Sequence, residues 1–258
     1  MAGLCYSKIE HKGVIPMDRC PIPKITHFFS MNDLVMKPVP VLHREYTGAV
    51  EQYFHTLFPN RKRTVLADTE PVPLPVDIEV LYPTTEEPFY VIHTLGMSAT
   101  PMTYPEGTES SEVRESYSEL CLMLPSDWPF AHDRILSMGE QAAWPLRMIR
   151  DLAKFPHAHH LWMSYGFILP NSESNEPFTT ESDLCGVLMV QFDGELGELT
   201  LDDGIIIQLL MPVLLYADEL EAYDRLGPDA LIERILDCTH ESFLLDLHRS
   251  HVAQGLLK

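Results

Sequence analysis

Two strand-like runs, "VDIEVLYP" (76–83) and "FYVIHTLG" (89–96), are separated by little more than the turn-rich link "PTTEEP". A parallel crossover needs about a dozen residues or more, so a link this short forces an antiparallel hairpin. Within the first run Val76, Ile78 and Val80 alternate with Asp77 and Glu79, the period of a half-buried strand. A doubly wound sheet, which needs a helix between successive strands, is disfavoured, and the fold class expected is α+β.

The other elements fit around that hairpin. "REYTGAVEQYFHTLF" (44–58) places Tyr46, Val50, Phe54 and Leu57 at helical spacing, and Pro59 stops it. "EGTESSEVRESYSE" (106–119) reads as a polar loop, followed by an apolar strand "LCLMLP" (120–125). "AAWPLRMIRDLAKF" (142–155) predicts a helix with Leu146, Ile149, Leu152 and Ala153 on one face. Arg147, Arg150, Asp151 and Lys154 fall on the other face, Pro145 suits the first turn, and Pro156 is expected to end the helix. "LCGVLMVQF" (184–192) and "GIIIQLLMPVLL" (204–215) read as buried strands, and 217–236 as two helices broken at Gly227–Pro228. Five prolines between 16 and 40 make residues 1–43 an irregular extension ahead of one domain, 44–258.

Charge narrows the partners. Residues 1–63 hold nine Lys/Arg against five Asp/Glu, a net of +4, whereas the remaining 195 hold nine against 33, a net of −24. Such a field repels nucleic acid and anionic membrane and attracts basic partners. The longest apolar run is interrupted by Gln208 and Pro212 and is too short to span a bilayer, and residues 1–30 lack the apolar core of a signal peptide. Five dispersed cysteines with no CxxC pair fit reduced thiols in a cytoplasmic protein.

Candidate chemistry is sparse. His157, His159 and His160 form the densest histidine cluster, and on a strand the first two would share a face. No Asp or Glu stands between Leu152 and Glu173 to complete a metal pattern, so the cluster reads as a polar helix-to-strand loop. His248 and His251 read as a solvated terminal helix face. Ser98 lacks the second glycine of a nucleophile elbow, and there is no Walker loop or GxGxxG. The acids of "DGELGELTLDDG" (193–204) lack the spacing of a calcium loop and read as a solvated hairpin. No catalytic residue, cofactor or metal site is expected.

Several segments taken in order resemble the Suppressor of fused family, in particular its single-domain bacterial members. They are 76–106, "YSELCLMLPSDWPF" (117–130), "WPLRMIRDLAKFPHAHHLWMSYGFILPN" (144–171), "PF" (177–178) and "MPVLLYADELEAYDRLGPDALIERI" (211–235). The hallmarks are the T-x-G-M-S turn at Thr94–Ser98, the run from Glu119 to Pro129, the W-P helix ending in A-x-F-P-H, and a loosened "PVLLYADE". The resemblance covers about residues 44–237. It implies a mixed, largely antiparallel sheet flanked by helices and no enzymatic activity. It further implies a protein-binding domain: animal members are two-domain regulators of Hedgehog signalling that clamp a transcription-factor peptide partly by strand addition, and bacterial members act as immunity proteins in polymorphic toxin systems. The clamp between two domains is not expected here.

Where the family reads G-H-T-I-P-N this chain has "GFILPN", keeping Gly166, Pro170 and Asn171 but placing Phe167 at the histidine. That change favours an apolar contact over catalysis. The partner-binding residues expected are Phe155, Tyr165, Phe167 and Asn171, with Glu109, Glu112 and Glu115 steering a basic toxin domain. Two other readings stand beside this one: a metal- or carboxylate-dependent hydrolase using His157, His159 and a distant acid, and a peptide-binding regulator acting by strand addition. Trp128 and Trp144, each beside a proline, are expected in the core.

Overall fold

The computed structural model describes residues 42–70, 72–104, 116–130, 139–240 and 242–253. Helix α1 (Arg44–Leu57) buries Tyr46, Val50 and Phe54, one residue per turn, and ends just before Pro59. Strands β1 (Arg63–Leu66), β2 (Asp77–Leu81), β3 (Phe89–Leu95) and β4 (Tyr117–Pro125) form an antiparallel meander. Its central hairpin pairs Asp77 with Leu95 and Leu81 with Val91, as the short link requires. Helix α2 (Glu140–His159) follows, then β5 (Ile168–Pro170), β6 (Gly186–Gln191), β7 (Glu198–Thr200), β8 (Ile206–Leu215) and α3 (Ala217–Cys238).

One eight-stranded sheet results, in the order β1-β2-β3-β4-β8-β6-β5, with β7 also paired to β8. β4 and β8 run parallel, while the other strand pairs described are antiparallel. The mixed, mostly antiparallel sheet flanked by helices is the fold expected from the sequence. Both faces are covered, which explains why β4, β6 and β8 are apolar almost throughout. On one face α2 packs with Trp128, Trp144 and Trp162 against Ile78, Ile92, Leu122 and Leu210. On the other, α1 and α3 cover Val91, Cys121, Leu188 and Leu209. α3 approaches β6 closely because Gly186 has no side chain: a Cβ there would lie 2.7 Å from Leu220 Cδ2.

Several expectations are corrected. The polar loop is shorter than the sequence predicts, because β4 begins at Tyr117 and buries Ser118 and Glu119. Helix α2 runs through Pro156 to His159. A proline removes its own N–H and crowds the turn before it, so in a last turn it need not prevent the residues after it from staying helical. The helix stops instead at His160, which is left-handed (φ 55°), with Leu161 N–H donating to Pro156 O at 2.9 Å. Lys154 is 0% exposed rather than solvated, its ammonium 2.6 Å from Asp68. β2 is not half-buried, since Glu79 is enclosed as fully as its apolar neighbours. The segment carrying His248 and His251 is not helical, and His251 stacks on Tyr216 with ring centroids 3.7 Å apart. The break at Gly227–Pro228 is present, with Gly227 at φ 74° inside α3.

Candidate functional site

The last turns of α2 and the corner after it hold four of the predicted contact residues. Phe155 is only 2% exposed and packs with His159 and Phe167 at 4.3 and 6.3 Å, so it belongs to the core and not to the outer surface. Tyr165, Phe167 and Asn171 are half-buried. Each is tied inward: the Tyr165 hydroxyl donates to Asp229 on α3, Phe167 O accepts from Met189 N–H at 2.8 Å, and Asn171 Nδ2 donates to Glu176 O at 2.8 Å. Tyr223 donates to Gly166 O, fixing the left-handed glycine (φ 81°) against α3. The corner is thus rigidly mounted, with Tyr165 and Phe167 at its rim. Glu109, Glu112 and Glu115 lie outside the described residues.

His157 and His159 sit on the last turn of α2 and His160 caps it, so the first two do not have strand-face geometry. His157 Nε2 is buried with no hydrogen-bond partner among the described residues, and the other ring nitrogen bonds the Met97 backbone. Burial holds this imidazole down at a pKa of about 4. It is a neutral packing histidine.

The acidic surface has a definite place. Residues 193–237 carry twelve acids against Arg225 and Arg234, a net of −10, half of the total of −20. Asp193, Glu195, Glu198, Asp202 and Asp203 are exposed around β7 and its turns. That hairpin is bound to α1, where Tyr46 donates to Asp203 and Tyr53 to Glu195 O, each at 2.9 Å. On α3, Glu221, Asp224, Asp229, Glu233 and Asp237 are exposed. The charge therefore gathers on the side of the sheet that α1 and α3 cover.

Four buried carboxylates hold the frame. Glu119 accepts from Thr94 Oγ1, Gly96 N–H, Ser98 N–H and Ser98 Oγ at 2.6–3.0 Å, which explains the T-x-G-M-S turn: each polar group faces one acid. Burial raises the Glu119 pKa against the pull of these donors. The Asp68 side chain is enclosed too, but Lys154 and backbone donors outweigh burial and keep it below the usual range. Glu219 receives Arg249 in a two-pronged contact and the Tyr216 and Val252 N–H groups at 3.0 Å, pinning the C-terminal segment to the start of α3.

The fourth was invisible in the sequence. Val65, Glu79, His93 and Cys121 form one cross-strand row on the face beneath α1. Glu79 Oε2 lies 2.9 Å from His93 Nε2, and both its oxygens lie 2.9 Å from His55 Nε2 on α1. Burial pushes the Glu79 carboxyl up, yet the two imidazoles pull it lower still, to below the ordinary value. Glu51, one turn before His55, brings a carboxylate oxygen within 4.8 Å of the ligand atoms of His55 and Glu79. Alternation in β2 marked Glu79 as a surface acid, and only the α1 packing reveals otherwise.

The sequence model of the Suppressor of fused protein (SUFU) family matches residues 73–250. No curated protein matches the chain. Among solved structures, a SUFU homologue from Neisseria gonorrhoeae FA 1090 is similar, with TM-score 0.55, 12% identity, and coverage of 81% of this chain and 97% of that one. A structure of the Sufu–Fu complex is similar at TM-score 0.55 and 16% identity, covering 84% and 93%. Drosophila Suppressor of Fused gives 0.52 and 15%, covering 80% of this chain and 50% of that one. None of the described helices is long and apolar enough to cross a membrane.

Proposed function

The chain belongs to the Suppressor of fused family, and from that premise we propose that it is a non-enzymatic binding domain that neutralises a basic protein, in the manner of a bacterial immunity protein acting on a toxin domain. The observation that carries this reading is the acidic face: half of the net charge lies on residues 193–237, and ten of the twelve acids there are exposed on the side of α1 and α3. A cationic substrate channel is complementary to such a face, and occupying it would block substrate entry. A relative caught in the Sufu–Fu complex supports protein binding as the family's mode of action. Tyr165 and Phe167, rigidly mounted at the corner beside α3, supply apolar contact next to the charge.

The decisive experiment co-expresses the chain with the product of the adjacent gene and measures association by surface plasmon resonance at two salt concentrations. The Debye length falls from about 30 Å at 0.01 M to about 8 Å at 0.15 M, so the on-rate should drop markedly while the off-rate changes little. An on-rate indifferent to salt would reduce the acidic face to a solubility feature.

Strand addition is a second reading, favoured by one observation. β1 is the edge of the sheet, and its Val65 is 48% exposed, the one large hydrophobic so exposed among the described residues. Antiparallel alternation turns the backbone groups of Arg63 and Val65 away from β2, where an extended peptide could pair. Loss of binding in Val65→Pro with retention in α3 charge variants would favour this mode.

A further inference from the structure

We infer that Glu51, His55 and Glu79 form a binding site for a divalent transition cation of the zinc class, clamping α1 to the sheet. The donors come from two elements: Glu51 and His55 stand one helical turn apart on α1, and Glu79 rises from β2 beneath them. Ligand atoms around tetrahedral zinc sit about 2.0–2.1 Å from the metal, which places neighbouring donors about 3.3 Å apart. The His55 Nε2 to Glu79 distances of 2.9 Å lie within about half an ångström of that spacing, and a rotamer change would bring Glu51 in from within 4.8 Å. One imidazole with two carboxylates suits zinc, cobalt or manganese and disfavours soft cuprous ions. Two carboxylates also neutralise a divalent charge, so burial of the ion beside β2 is not opposed by residual charge.

His93 completes the arrangement. It is fully buried, stacked on Phe54 with ring centroids 3.9 Å apart, and holds Glu79 Oε2 through Nε2. A histidine orienting a ligating carboxylate is the outer support that metal sites commonly carry, and losing such support costs roughly 10–100-fold in affinity. In the metal-free protein His55 Nε2 contacts the same carboxylate oxygens, so a bound ion would take the place of that hydrogen bond.

Chelator-stripped, untagged full-length protein is titrated with Co(II) alone and with Zn(II) alone at pH 7.5. One equivalent should bind, with the ligand-field absorption of low-coordinate Co(II). Zn(II) should raise the melting midpoint. His55→Ala and Glu51→Gln should each weaken uptake at least tenfold, and a His159→Ala variant should bind as the parent does. Glu51→Gln leaves the Glu79–imidazole contacts in place, so its folding, read by circular dichroism, separates loss of a ligand from loss of structure. Absence of stoichiometric uptake, or uptake that survives both substitutions, overturns the site. Neither result depends on a protein partner.

Discussion

At the residue scale, the clearest success of sequence reading is the tryptophan pair. Trp128 is 8% exposed, donates its indole N–H to Ala142 O at 3.0 Å, and meets Trp144 edge to face at 6.1 Å. Trp128→Ala should lower stability by about 3–5 kcal/mol in a denaturant titration, since it opens a cavity and removes the indole hydrogen bond. His157 and Asp151 give a pH test with opposite signs. The folded chain holds His157 at about 4 against 6.5 in its ordinary state, so the unfolded chain binds the proton first. Stability from this residue is present above 6.5 and is lost as pH falls toward 4. Burial raises Asp151 from 3.8 to about 6, so its contribution runs the other way and increases as pH falls through that window. Denaturant midpoints between about pH 7 and pH 4.5 should therefore fall less steeply in His157→Asn and more steeply in Asp151→Asn. Lys154 and Glu79 were illegible as buried residues, because composition marks a charged side chain as solvated and only the partner, Asp68 or His93, makes enclosure tolerable.

At the element scale, strand and helix positions followed from periodicity and link length, whereas ends depended on contacts the sequence does not display. β4 starts at Tyr117 because Glu119 has donors waiting on the Thr94–Ser98 turn, and residue type alone placed that acid in a loop. The turn itself rests on Gly96, whose φ of 129° is open to glycine and whose missing Cβ would lie 2.5 Å from Pro75 O. Gly96→Ala should cost about 2 kcal/mol or more, with the Glu119 donors displaced together. A melting midpoint equal to the parent's would show that the turn can relax around the methyl group. The corner from Tyr165 to Asn171 was recognised as a hallmark, but its attachment to α3 through Asp229 and Tyr223 needed the fold. The Glu51–His55–Glu79 set was missed for the same reason: its members lie on two elements that share no motif.

At the scale of the whole molecule, the charge asymmetry was legible as a number and not as a surface. Folding sends ten exposed acids from residues 193–237 to the side of α1 and α3. Reversing Glu221, Asp224 and Glu233 to Lys should slow association with a basic partner far more than it hastens dissociation, as read by stopped-flow or surface plasmon resonance, with little change in fold. Equal rates in parent and variant would place the contact elsewhere. The parallel seam between β4 and β8 carries a different kind of consequence. Ser118 and Gln208, which meet there, are 90 residues apart in the chain, whereas β1, β2 and β3 pair with sequence neighbours. Closing so large a loop is slow and brings its reward late, after the meander can already have formed. The seam is therefore expected to close after the meander, joining an earlier-folding half to a later one.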